Sequence, residues 1–172
     1  MKTLIVVDMQ NDFITGPLGT PEARAIVPKV KEKIEEYRKR GDQIIFTRDS
    51  HYESYLLTLE GKHLPIKHCI IDTDGWEIIP GLMRSCDYCV RKHGFGYDEW
   101  DNTIYELDFA DSIELIGVCT DICVVSNALI LKSYYRHTEI TIDASCCAGT
   151  TPENHKAALQ VMKSCQINVI NE

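Results

Sequence analysis

Lys2 to Val7 is a short, β-branched and almost wholly apolar run, the pattern of a strand buried on both faces. From Thr20 to Arg40 the apolar positions Ala25, Ile26, Val30, Ile34 and Tyr37 recur at helical intervals, and Gly41 closes the segment. Gln43 to Thr47, Cys89 to Arg91, Ser112 to Val118, Glu139 to Ile142 and Ile167 to Ile170 read as further strands. Between them the pattern predicts a short helix near Glu99 to Leu107, then Ile122 to Arg136, then Pro152 to Ser164. Thr151 suits the cap of the last of these and Pro152 its first turn. Strands alternating with helices predict an α/β fold of three layers, α/β/α, around a mostly parallel, Rossmann-like sheet of about six strands. No internal repeat, low-complexity tract or linker interrupts it, so residues 1–172 are expected to form a single domain.

In parallel sheets sites form beyond the carboxyl ends of the strands. Asp8 follows the first predicted strand, Asp49 the second, Lys92 the third, and the turn Cys119 to Cys123 the fourth. Cys123 lies where a helix should begin, near unpaired backbone N–H groups and the positive end of the helix dipole. Both favour the thiolate, and the same N–H groups suit an oxyanion. Alone, Asp8 reads as a turn cap, Lys92 as a solvated lysine and Cys123 as a buried structural thiol. Their joint placement points instead to a nucleophile with a base and a charge partner. The stretch from Asp49 to Leu82 is too long for a plain connection and is expected to be functional.

A net charge of -8 without any block of Lys and Arg argues against nucleic-acid partners and against anchoring to anionic membranes. Met1 to Val7 is too short, and too soon interrupted by Asp8, for a signal peptide or a membrane span. The 8 cysteines are then expected to be mostly free thiols in a reducing cytoplasm. Cys86 and Cys89 form a C-x-x-C, but no second pair follows at zinc-finger spacing, so both read as structural.

Four segments in order carry a family resemblance: Val7-Asp8-Met9-Gln10-Asn11-Asp12-Phe13, Thr47-Arg48-Asp49-Ser50-His51, Arg91-Lys92, and Gly117 to Cys123. Together the chain resembles the cysteine hydrolases of the isochorismatase-like superfamily over nearly its whole length. True isochorismatases lack the nucleophilic cysteine, so Cys123 points to the amidohydrolase branches. Asp49-x-His51 followed by His68 looks like the metal site of nicotinamidases, which would place the chain in NAD salvage. The resemblance implies that Cys123 attacks a carboxamide carbon while Asp8 takes and later returns the proton. It implies that Lys92 stabilises the negative charge, that the N–H groups of Cys119 and Cys123 form the oxyanion hole, and that the peptide before Cys119 is cis.

The same resemblance implies a divalent metal held by Asp49, His51 and His68, with Glu60 as the fourth ligand and His63 as its competitor. Zinc is the expected ion, iron and manganese being alternatives that a mixed N/O set accommodates. The ion would orient the pyridine nitrogen of nicotinamide. A flat aromatic amide also needs an apolar slot, for which Phe13, Trp76, Phe95 and Tyr97 are the candidates. Ile122, Val125, Leu129 and Ile130 are expected in the core of the following helix, not in the pocket. Nicotinamide is the expected substrate; the alternative is a related hydrolase of another small amide, carbamoyl or ureido compound. A non-catalytic scaffold and a redox thiol protein resolved by Cys119 are readings of other classes, the first opposed by the intact triad. The chain is short for the superfamily, so pocket-covering insertions are either missing or supplied by a neighbouring subunit, and a homo-oligomer is expected.

Overall fold

The computed structural model describes residues 1–103 and 110–172. Six strands form the sheet: β1 (Lys2–Val7), β2 (Gln43–Asp49), β3 (Tyr88–Lys92), β4 (Ser112–Val118), β5 (Glu139–Ala148) and β6 (Asn168–Ile170). They lie in the order β3-β2-β1-β4-β5-β6, and every neighbouring pair is parallel. The helices are α1 (Asn11–Ile14), α2 (Pro21–Arg40), α3 (Leu59–His63), α4 (Trp100–Thr103), α5 (Val125–Tyr134) and α6 (Pro152–Ser164). The expected continuation of α4 towards Leu107 lies outside the described residues.

Side-chain alternation along β1 builds the two halves of the core. Leu4 and Val6 meet Phe46 and the buried stripe Ile26, Val30, Ile34 and Tyr37 of α2. Ile5 and Val7 face the other way, with Ile45 and Leu115, onto Ala128 and Leu131 of α5 and Leu159 and Met162 of α6. The three layers expected from the alternation of strands and helices are therefore present. Local signals set the helix ends: Thr20 and Thr151 accept hydrogen bonds from the N–H groups of Ala23 and Asn154, and Gly41 closes α2 at φ 72°.

β5 runs to Ala148, well past the expected end at Ile142. Asp143 breaks the apolar run, but its charge is met inside the fold. Lys33 of α2 lies 2.9 Å from both Asp143 and Glu114, and Tyr37 donates to Glu114 at 2.7 Å. Although burial opposes it, the Lys33 partnership holds the Asp143 carboxyl below the usual range, and the Lys33 ammonium is held up by the same two carboxylates. Lys33→Met leaves two enclosed carboxylates without a cation. It is expected to cost about 3 kcal/mol, read as a lower midpoint in chemical denaturation. In the wild type, a depressed carboxyl means that stability from Asp143 is present at neutral pH and is lost as pH falls through its folded value.

The chain steps outward from β1 to β2 and β3, then returns to lay β4 against the free side of β1. Connections thus diverge at β1 and β4, which opens a crevice at their carboxyl ends. Gly117 lets the two strands close together there. At φ 117° a side chain is strained, and an added Cβ would sit 2.1 Å from the Val7 carbonyl oxygen.

Candidate active site

Asp8, Asp49, Lys92 and the Cys119 to Cys123 turn come from the adjoining ends of β1, β2, β3 and β4. Lys92 Nζ lies 2.8 Å from Asp8 Oδ2, 3.1 Å from Asp49 Oδ1 and 3.4 Å from Cys123 Sγ. It also donates to the Gly94 carbonyl at 3.1 Å. Asp8, with φ 48° in the left-handed region that Asp tolerates, turns its carboxylate inward, where Thr47 Oγ1 donates to Oδ1 at 2.6 Å. Cys123 sits in a π-helical turn, Thr120–Val124, that leads into α5, and the Val118–Cys119 peptide is cis.

The electrostatics depart from the expectation of a thiolate. Cys123 is buried, and burial pushes its thiol well above the ordinary range against the pull of Lys92, with Asp8 and Asp49 pushing the same way as burial. Burial likewise lifts the Asp8 carboxyl, with Lys92 opposing. Desolvation works against the Lys92 ammonium, yet Asp8, Cys123 and Asp49 hold its pKa well above its usual value. Losing water outweighs the field of a helix end. Burial and the two carboxylates thus favour the protonated thiol over the thiolate that a helix start alone suggests.

Asp49 reaches the second cluster through its other oxygen. Asp49 Oδ2 is 2.9 Å from His51 Nε2 and 3.5 Å from His68 Nε2. Glu60 Oε1 lies 3.7 and 3.8 Å from the same two nitrogens. Ligand atoms around a tetrahedral ion, each about 2.1 Å from the metal, are spaced about 3.4 Å apart, so these separations fit an ion at their centre. Two carboxylates and two imidazoles also match a divalent charge. His68 Nδ1 is 2.8 Å from the Ile66 carbonyl, which fixes Nδ1–H and leaves Nε2 as the donor atom. Glu60, not His63, shares this group, in which the four donor atoms lie within 4.8 Å of one another. Although burial opposes ionisation, Lys92 and the two histidines hold the Asp49 carboxyl far below the usual range.

Both clusters open into one cavity of about 810 Å³. Phe13, Phe95, Glu60, His63 and His68 line it together with Cys119 and Cys123. The Phe13 ring centroid stands 5.6 Å from that of His68. Trp76 and Tyr97 do not line the cavity, which corrects their assignment to the pocket. The Trp76 indole N–H bonds Ser50 at 2.8 Å and its ring lies under the Arg48 and Arg91 guanidinium groups. Tyr97 is buried against Trp100, its backbone N–H bonded to Asn127. Ile122, expected in the core alone, faces the cavity as well, because the π turn rotates the start of the helix. Leu18, Leu59 and Leu64 supply apolar wall that no motif announced. All eight cysteines are free, including Cys86 and Cys89. Among the described residues no helix is long and apolar enough to cross a membrane.

The sequence matches the isochorismatase domain family over residues 2–172. The nicotinamidase of Saccharomyces cerevisiae is 26% identical, with 100% of each chain covered. The structure of the pyrazinamidase of Pyrococcus horikoshii in complex with zinc superposes with a TM-score of 0.84 at 29% identity, covering 99% of both chains. N-carbamoylsarcosine amidase from Thermoplasma acidophilum superposes with a TM-score of 0.82 at 31% identity, covering 98% of this chain and 95% of that one.

Proposed function

This chain belongs to the isochorismatase domain family, and on that premise we propose that it is a metal-containing cysteine amidohydrolase converting nicotinamide to nicotinate and ammonia. The observation that carries this reading is the sharing of Asp49: one oxygen meets the Lys92 of the triad, the other meets His51 and His68, and both groups open into one cavity. Cys123 Sγ attacks the carboxamide carbon as its proton passes to Asp8. The new oxyanion is received by the backbone N–H groups of Cys119 and Cys123, with the Lys92 ammonium balancing the negative charge nearby. Asp8 then delivers its proton to the departing nitrogen, which leaves as ammonia and forms the thioester. Water, deprotonated by Asp8, adds to the thioester carbonyl; the C–S bond then breaks, freeing nicotinate as the proton returns from Asp8 to the Cys123 sulfur.

When bound by Asp49, His51, Glu60 and His68, a divalent ion, zinc in the first instance, would supply a Lewis-acid anchor for the pyridine nitrogen. Phe13 and Phe95 line the cavity, where their rings would offer apolar faces to the aromatic amide. The same reading makes the protein a cytoplasmic homo-oligomer whose partner is a small amide. A second reading, hydrolysis of an N-carbamoyl compound, draws on the likeness to the carbamoylsarcosine amidase; the histidine-carboxylate cluster favours the first.

Ammonia release distinguishes them. Nicotinamide is expected to turn over in zinc-loaded protein, with activity falling at least about tenfold on chelation and returning on zinc addition. Turnover of N-carbamoylsarcosine with nicotinamide inert would overturn the substrate assignment.

A further inference from the structure

Gln10, Asn11 and Asp12, which begin two residues after Asp8, hold through their side chains the loops that carry the histidines and the shared carboxylate. Gln10 is fully buried and its amide clamps Asp49: Oε1 accepts from the Asp49 N–H at 2.8 Å, and Nε2 donates to the Asp49 carbonyl at 2.9 Å. Its second proton goes to the Trp76 carbonyl at 2.8 Å. Asn11 donates to the Asp74 carbonyl at 2.8 Å. Asp12 Oδ2 accepts from the backbone N–H of Cys69 at 2.7 Å, across the chain from the next-door His68.

Cys69 is the junction. Its φ of 47° is one that a non-glycine residue seldom adopts and that an outside contact must hold. While its N–H is bound by Asp12, its carbonyl accepts from the His51 N–H at 2.9 Å. The two peptide groups flanking Cys69 thus tie the backbone next to His68 to Asp12 on one side and to His51 on the other. Gly75 makes room for this arrangement, since an added Cβ would lie 2.3 Å from Asp12 Oδ2.

We propose that Asp12 is a positioning residue for the metal site, setting divalent-ion affinity through the Cys69 peptide without contact with the ion or the substrate. This rests on the metal reading given above. A carboxylate is suited to the task because a charge-assisted bond holds a backbone N–H more firmly than a neutral acceptor does. Phe13, one residue on, packs on His68 from the cavity side, so the same short turn steadies that imidazole twice.

The test is zinc titration of the full chain in competition with a chromophoric chelator, beside the rate of Cys123 carboxamidomethylation by iodoacetamide in metal-free protein. Asp12→Ala is expected to weaken zinc binding about ten- to a hundredfold and leave the Cys123 rate unchanged. Asp12→Asn, whose Oδ1 still accepts from Cys69, should bind within about fivefold of wild type. Gly75→Ala should mimic Asp12→Ala by displacing the carboxylate, which keeps the test open if one variant folds poorly. Unchanged zinc affinity in Asp12→Ala overturns the inference, as does a parallel fall in Cys123 reactivity, which would signal general collapse. A wild-type chain that binds no zinc, manganese or iron would overturn the metal reading itself, a result distinct from either.

Discussion

Cys123→Ala is expected to lower kcat/KM for nicotinamide hydrolysis on the order of ten-thousandfold or more while leaving the fold and the binding of the amide intact. The loss follows from the division of the reaction in two. Without Sγ there is no thioester, and water must displace ammonia from a resonance-stabilised amide in one step. The remaining groups give little help, since Asp8 and Lys92 are arranged around the sulfur, with Lys92 Nζ 3.4 Å from it. Alanine also removes one of the groups that support the Lys92 charge, but the closer Asp8 and Asp49 remain. Acid-quenched wild-type protein should carry an acyl group on Cys123 by mass spectrometry, and the variant none. Retention of more than about a hundredth of the wild-type rate, far above what loss of a covalent nucleophile permits, would sink the assignment of the nucleophile.

The triad was legible in the sequence because apolar runs fix where strands end, and parallel strands put those ends side by side. Asp8, Lys92 and Cys123 need only that much geometry to meet. Asp143 shows where such reading stops. A charge within a β run looks like a strand end until Lys33, distant in sequence, neutralises it. Trp76 was illegible for a related reason. An indole in a long connection serves a pocket or a packing contact equally well, and the choice lies with Arg48, Arg91 and Ser50, none of which a local pattern reveals. The thiol of Cys123 adds a third kind of limit. A helix start argues for a thiolate, but the degree of burial decides the sign, and burial is a property of the assembled fold. The candidate metal site lies between these cases: Asp49 and His51 are neighbours in sequence, whereas Glu60 joins them only through the course of the loop that carries α3.

Replacing Lys92 by Met removes a single charge from between two buried carboxylates and should be the most disruptive change to the site as a whole. Activity is expected to fall on the order of a thousandfold, and stability by about 3–5 kcal/mol, because Asp8 is left with no cation and Asp49 with only the histidine cluster. The pH dependence gives the cause away. Burial already raises the Asp8 carboxyl, and the Lys92 ammonium beside it opposes that rise, so its loss moves the carboxyl further up. A carboxyl raised in the folded state binds its proton more tightly there than in the unfolded chain. Stability of Lys92→Met should therefore increase as pH falls from the raised Asp8 value towards the ordinary carboxylate range, the reverse of the trend that Asp143 imposes. Adding Asp8→Asn removes the stranded charge. The double variant should recover much of the lost stability, measured by denaturant melts at neutral pH, yet none of the activity, because no base remains for the Cys123 proton. If the double variant stays as unstable as Lys92→Met alone, packing of the lysine stem rather than its charge holds the site together.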